Sequence, residues 1–125
     1  MSTIKVGTLL AADGTTTTQP SIPALDKRMA KAWVNFNGTG TVAIFDSYNV
    51  SSLTDSGTGN YNVNFSTNMA NTNYATVTNG ARANDQFIST HYGWQQVSYV
   101  QVVCYQVNTS NNSDPDTVAI AVFGS

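Results

Sequence analysis

Charged side chains are scarce in this sequence. Only 10% of its residues are charged, Glu is absent, and the formal net charge is −2. Soluble domains usually carry about 25% charged residues. A nucleic-acid-binding surface needs a basic patch, which five Lys and Arg residues cannot easily supply. We therefore expect no nucleic-acid partner.

Cysteine and long apolar runs are scarce as well. Cys104 is the only cysteine, which excludes an intrachain disulfide framework and a cysteine-built metal site. Its apolar neighbours in YVQVVCYQV predict a buried thiol. No run reaches the roughly 20 apolar residues of a membrane helix, and the N-terminus lacks the pattern of a signal peptide. We expect synthesis in a reducing cytoplasm and no membrane insertion.

The residues that are present favour β-structure. Thr, Val, Tyr and Phe suit strands, Asn and Gly suit turns, and 41% of the residues are hydrophobic, which excludes a disordered chain. A length of 125 residues fits one domain. The composition predicts an all-β protein.

Residues 1–30 are expected to form an extended N-terminal arm. Alternating apolar residues predict a strand over residues 2–10, and a Thr-rich segment broken by prolines follows. The segment SIPALDKRMAKA predicts a short helix with Ser21 as its N-cap and Pro23 in its first turn. Because this segment can bury little apolar surface by itself, we expect the arm to anchor the protein to a partner.

Residues 31–125 carry the pattern of an antiparallel β-sandwich of jelly-roll type. Apolar residues alternate from Ala32 to Phe36, and after a Gly-Thr-Gly turn the alternation runs from Val42 to Val50 as one strand. In NYNVNF, apolar residues alternate with Asn, as a sheet with one solvated face requires. Turn signals recur at short intervals, which favours a sandwich over βαβ units.

The last two predicted strands, 98–107 and 117–123, are apolar on both faces. Such strands must be covered on both sides. In a two-layer sandwich the second cover can come from another subunit, so this pattern indicates self-association.

The sequence contains few candidate catalytic or metal-binding residues. His91 is the only histidine, and without a Gly-x-Ser-x-Gly elbow a Ser-His-Asp triad has little support. Asp114 and Asp116 could offer oxygens to calcium, but their segment fits a turn before the last strand better than an EF-hand loop. We expect no catalytic residue, no cofactor and no metal.

One group of candidate binding residues remains, in the segment HYGWQQ. His91, Tyr92 and Trp94 surround a glycine, and aromatic faces beside amide side chains suit stacking on sugars and hydrogen bonding to them. These three residues are therefore the candidates for binding a receptor or glycan. The alternative is that 91–96 is a loop whose aromatic residues plug one end of the core.

Three segments resemble a module of virion fibre proteins of tailed bacteriophages, notably those of marine cyanobacteria. They are WVNFNGTGT (33–41), DSYNVSS (46–52) and GTGNYNVNF (57–65), followed by NYATVTNG and a closing TVAIAVFG. The resemblance implies that the protein is part of the virion and forms a trimeric appendage. It also implies that the protein functions by contacting other surfaces and not by catalysis. Only about 30 residues precede the module, so the resemblance favours a short fibre or tail-appendage component over a long tail fibre.

We therefore expect a non-enzymatic virion structural protein that is made in the host bacterial cytoplasm. It would form a homotrimer, contact other phage virion proteins through its N-terminal arm, and function in virion assembly or in host attachment through a surface glycan. A capsid decoration or head-fibre protein and a free-standing carbohydrate-binding module are the alternatives, and an enzyme is a more distant one.

Overall fold

A computed structural model describes residues 1–16, 18, 20–81, 88–107 and 109–124, and of residues 88–93 it describes the backbone. One short helix, α1, precedes the strands. The elements are α1 (Pro23–Asp26), β1 (Ala30–Asn37), β2 (Ala43–Tyr48), β3 (Val50–Gly57), β4 (Asn60–Phe65), β5 (Ala75–Ala81), β6 (Ile88–Gln95), β7 (Tyr99–Gln106), β8 (Asn111–Asn112) and β9 (Thr117–Phe123).

The strands form two antiparallel sheets that pack face to face, so the predicted all-β sandwich is confirmed. The first sheet has the order β2-β1-β9-β5. The second has the order β3-β4-β7-β6, and the short β8 pairs with β7. Each sheet joins hairpins of consecutive strands (β1–β2, β3–β4 and β6–β7) to strands that are distant in sequence, as where β9 lies between β1 and β5 and where β4 pairs with β7.

The core lies between the sheets and follows the period-two pattern of the sequence. Alternate residues of β1, β4, β7 and β9 are buried. Two edge-to-face aromatic pairs, Phe36 with Tyr61 and Phe65 with Tyr74, fill its two ends. The buried apolar residues are Ala32, Val34, Phe36, Tyr61, Val63, Phe65, Met69, Tyr74, Val100, Val102, Cys104, Val118, Ile120 and Val122.

The predicted single strand from Val42 to Val50 is wrong, because the chain changes sheets at Asn49. Asn49 has a φ of 54°, a left-handed conformation that Asn tolerates better than most residues. Its side chain donates to the carbonyl oxygens of Lys31 and Thr67 (3.1 Å each) and accepts from the Thr67 N–H at 2.7 Å. These bonds hold β2 in the first sheet and β3 in the second.

Two predictions for the N-terminal segment are also wrong. Residues 1–10 lie exposed and outside any strand, because a strand needs a neighbouring edge and none pairs with them. Helix α1 has Ile22 as its N-cap, with no side-chain capping bond, so Ser21 does not cap it. The predicted position of Pro23 in the first turn is confirmed.

Candidate functional site

The candidates His91, Tyr92 and Trp94 lie in a strand, not in a loop. They belong to β6, an edge strand of the second sheet that pairs with β7. His91 lies opposite Val103 and Tyr92 opposite the buried Val102. The β-branched and aromatic residues of ISTHYGWQ suit a strand. The side chains of His91 and Tyr92 lie outside the described part of the structure, so their roles remain predictions.

Trp94 is separated from Tyr92 by a β-bulge, and its side chain is 61% exposed. The idea that Trp94 plugs the core is therefore wrong. It lies opposite Gln101, and the row continues across the sheet through Asn62 to Thr54. An exposed indole thus stands beside amide and hydroxyl groups on the outer face of the second sheet.

That outer face is largely polar and carries few charges. We call it the amide face, and it comprises Ser52, Thr54, Asn60, Asn62, Asn64, Trp94, Tyr99, Gln101, Val103 and Tyr105. Tyr99, Val103 and Tyr105 are the predicted second apolar side of β7, and they are half-buried. The Asn64 amide donates to the hydroxyl groups of Ser52 (3.1 Å) and Thr54 (3.0 Å). The outward Asn residues of β4, predicted from the sequence, are confirmed. The side-chain oxygen of Asn62, at the centre of the face, is buried and has no hydrogen-bond partner among the described residues.

The outer face of the first sheet carries an apolar patch beside a polar cross-strand row of Asn79, Ala119, Asn35 and Asp46. We call this patch the apolar face, and it comprises Trp33, Tyr48, Ala75, Val77, Ala119, Ala121 and Phe123. Val77, Ala121, Trp33 and Tyr48 form one continuous cross-strand row. Val77 is 61% exposed, whereas the outward residues of β9 are half-buried. The predicted second apolar side of β9 is thus present on the surface of one chain.

Two grooves separate the N-terminal segment from the sandwich. The smaller, of about 460 Å³, lies between residues 8–20 and the Trp33–Tyr48 end of the apolar face. The larger, of about 870 Å³, lies where the chain changes sheets. We call it the crossover groove, and it is lined by Thr18, Pro20, Ser21, Asp26, Lys31, Ser47, Tyr48, Asn49, Ser66, Thr67, Asn68, Met69 and Ala70.

Asp114, considered above as a calcium ligand, has a structural role instead. Its Oδ1 accepts from the Gly59 N–H at 2.6 Å and lies 2.8 Å from the Tyr61 hydroxyl. The segment interpreted as a turn consists of β8 followed by an irregular connection, residues 113–116, that leads into β9. Among the described residues, no three His, Cys, Asp or Glu side chains come together as a metal site.

The buried ionisable groups near this connection keep their protons. Burial, and then the hydrogen bond to Asp114, raises the pKa of Tyr61 far above its usual value. Burial raises the pKa of the Cys104 thiol to about 12, with a further contribution from Asp114. The predicted burial of Cys104 is confirmed, and a thiol in this state is a poor nucleophile.

Sequence reasoning missed Asn49, the Asp114–Tyr61 contact and the crossover groove. The signal for Asn49 was present, since Asn between two strand-like segments favours a left-handed turn. The other two features join segments far apart in the chain.

Comparison with protein families, with curated proteins and with solved structures finds no match to this chain. In the part of the chain that the structure describes, no helix has the length and apolar character needed to cross a membrane.

Proposed function

We propose that this protein is a non-enzymatic structural component of a tailed-bacteriophage virion, a short tail fibre or tail-appendage piece for assembly or host attachment. The three fibre-like segments support the proposal because each builds part of the scaffold. They supply β1 and its turn, the crossover at Asn49, and the tight turn before β4. A rigid sandwich made from such turns suits a protein whose function is contact.

The observation that carries the proposal is the apolar face. Burying an apolar side chain contributes about 1.5–3 kcal/mol relative to leaving it exposed. Contiguous exposed apolar patches larger than a few hundred Å² are uncommon on monomers and usually mark an interface. Identical subunits arranged around a rotation axis can cover one another's patches, and the fibre resemblance implies a threefold axis. We therefore propose a homotrimer whose subunits meet through the apolar face.

Light scattering of the purified protein at micromolar concentration tests this assembly. The expected mass is about three times 13.3 kDa. Val77→Asp places a charge on the apolar face and should give monomers that stay folded, because Val77 is 61% exposed. Thr54→Asp adds the same charge on the amide face and should leave the trimer intact. A stable monomeric wild type, or dissociation by Thr54→Asp alone, would contradict the proposal.

The exposed N-terminal segment supports its proposed role as an anchor to other virion proteins. Ile4, Val6 and Leu9 are large apolar residues with exposed side chains. Limited proteolysis should cut between Gly14 and Lys31 and leave a folded remainder. A cryo-EM map of the source particle would place the protein on the tail or on the capsid, where a decoration or head-fibre role is the alternative.

The exposure of Trp94 favours a second candidate function, a carbohydrate-binding module. An indole face beside Gln101 can stack on a sugar ring while the amide bonds to its hydroxyl groups. Trp94→Ala should reduce glycan binding or adsorption to the host, with little change in melting temperature. The host glycan remains a proposed partner.

A further inference from the structure

We infer that the crossover groove is a carbohydrate-binding site, separate from Trp94. The inference goes beyond the proposed virion role, because it concerns binding by the isolated protein. The groove holds about 870 Å³, within the range of sites for small ligands. It is concave, whereas Trp94 stands on the outer face of a sheet.

The polar groups of the groove are largely uncommitted. The hydroxyl groups of Ser47, Ser66 and Thr67 and the side-chain amide of Asn68 make no hydrogen bond to another described residue. On the amide face, by contrast, Asn64 already bonds to two hydroxyl groups. The groove therefore concentrates free donors and acceptors that a ligand could satisfy.

The mixture of groups defines the class of ligand. Hydroxyl and amide groups both donate and accept, Asp26 only accepts, and Lys31 only donates. A phosphate offers mainly acceptors, and its attraction to Lys31 is opposed by its repulsion from Asp26. A sugar offers many hydroxyl groups that donate and accept at close spacing.

Asn49 holds two walls of the groove in place, at Lys31 and at Ser66–Thr67. Its backbone oxygen accepts from the Ser66 N–H at 3.1 Å, and its side chain makes two bonds to the Thr67 backbone. The third side-chain bond, to the Lys31 carbonyl oxygen, fixes another wall. Segments held in this way lose little freedom on binding, which favours affinity for a small polar ligand.

Titration of isotope-labelled full-length protein, followed by NMR, tests the inference. The probes are neutral monosaccharides and disaccharides and one uronic acid, each raised to about 50 mM. Backbone amide signals of residues 47–49 and 66–68 should shift with at least one sugar. We expect a dissociation constant of about 1–10 mM, a range that ligands of about a dozen heavy atoms reach.

Substitutions then locate the site. Asn68→Ala and Ser66→Ala alter exposed side chains, so the fold should persist, and each should weaken binding by about five-fold. Asn79→Ala, at an exposed position of β5, is the matched control and should leave binding unchanged.

Three results would overturn the inference. They are the absence of shifts at residues 47–49 and 66–68 with every sugar, shifts confined to the surroundings of Trp94, and unchanged binding by Asn68→Ala. None of these results bears on the trimer, so failure of this site is distinguishable from failure of the proposed virion role.

Discussion

Removing the hydroxyl group of Tyr61 should destabilise the protein substantially. The side chain is fully buried, and its oxygen lies 2.8 Å from Oδ1 of Asp114 and 2.9 Å from the carbonyl oxygen of Gly38. Tyr61→Phe leaves both acceptors without this donor, and the one on Asp114 is a carboxylate. A hydrogen bond to a charged group contributes about 1.5–3 kcal/mol.

Thermal unfolding measures the effect directly. For a domain of 125 residues, each kcal/mol corresponds to about 4 °C in Tm. Tyr61→Phe should therefore lower Tm by about 6–12 °C. Tyr99→Phe makes the same chemical change at a half-buried position on the amide face and should shift Tm by less than about 2 °C.

A double-mutant cycle with Asp114→Asn isolates the part of the contact that depends on the charge of Asp114. Asparagine can still accept from the Gly59 N–H but carries no charge. The two substitutions should be non-additive, with a coupling energy of about 1 kcal/mol or more. Equal effects of Tyr61→Phe and Tyr99→Phe, or full additivity in the cycle, would refute this reasoning.

Three further predictions concern other buried or strained positions. Asn49→Ala should cost about 1 kcal/mol more than Asn49→Gly in urea unfolding, because both lose the side-chain bonds and glycine alone keeps a φ of 54° without strain. Equal losses of unfolding free energy in Asn49→Ala and Asn49→Gly would contradict backbone strain at this position. Cys104 should resist a thiol-specific disulfide reagent at about pH 8 until the protein unfolds, and rapid reaction of the native protein would contradict its burial. The pKa of Tyr74 is raised to about 12 by burial. The pKa values of the Tyr61 hydroxyl and the Cys104 thiol are raised as well, so the unfolded state loses all three protons first and stability should fall as the pH rises from about 9 towards 12. The fall should be shallower for Tyr74→Phe than for the wild type, and equal profiles would contradict the raised pKa of Tyr74.

The sequence predicted strands where one face must be buried. In β4, apolar residues alternate with Asn, and Tyr61, Val63 and Phe65 are buried as expected. The alternation around Ile4 and Val6 is similar, yet these residues lie exposed and outside any strand. Alternation determines which face would be buried, but it does not determine whether a sheet edge is available to pair.

Contacts between residues far apart in the chain could not be predicted from the sequence, for a different reason. Asp114 and Tyr61 are 53 positions apart, and nothing local to either residue indicates the other. The crossover groove joins residues 26–31, 47–49 and 66–68, which meet only because the chain changes sheets at Asn49. A pattern of strands and turns specifies each segment, whereas the site depends on how the segments are arranged.

The two Gly-Thr-Gly segments share one sequence motif but differ in their structural roles. Gly40 and Gly59 both have positive φ, of 59° and 68°, so local turn chemistry accounts for each. A Cβ atom on Gly40 would meet open space, whereas one on Gly59 would collide with the carbonyl oxygen of Cys104. At Gly59 the backbone also donates to Asp114 and accepts from Cys104, which joins the turn to β7 and to the connection before β9. One glycine therefore serves the turn alone, and the other also serves the packing of the sandwich, a difference that the repeated motif does not encode.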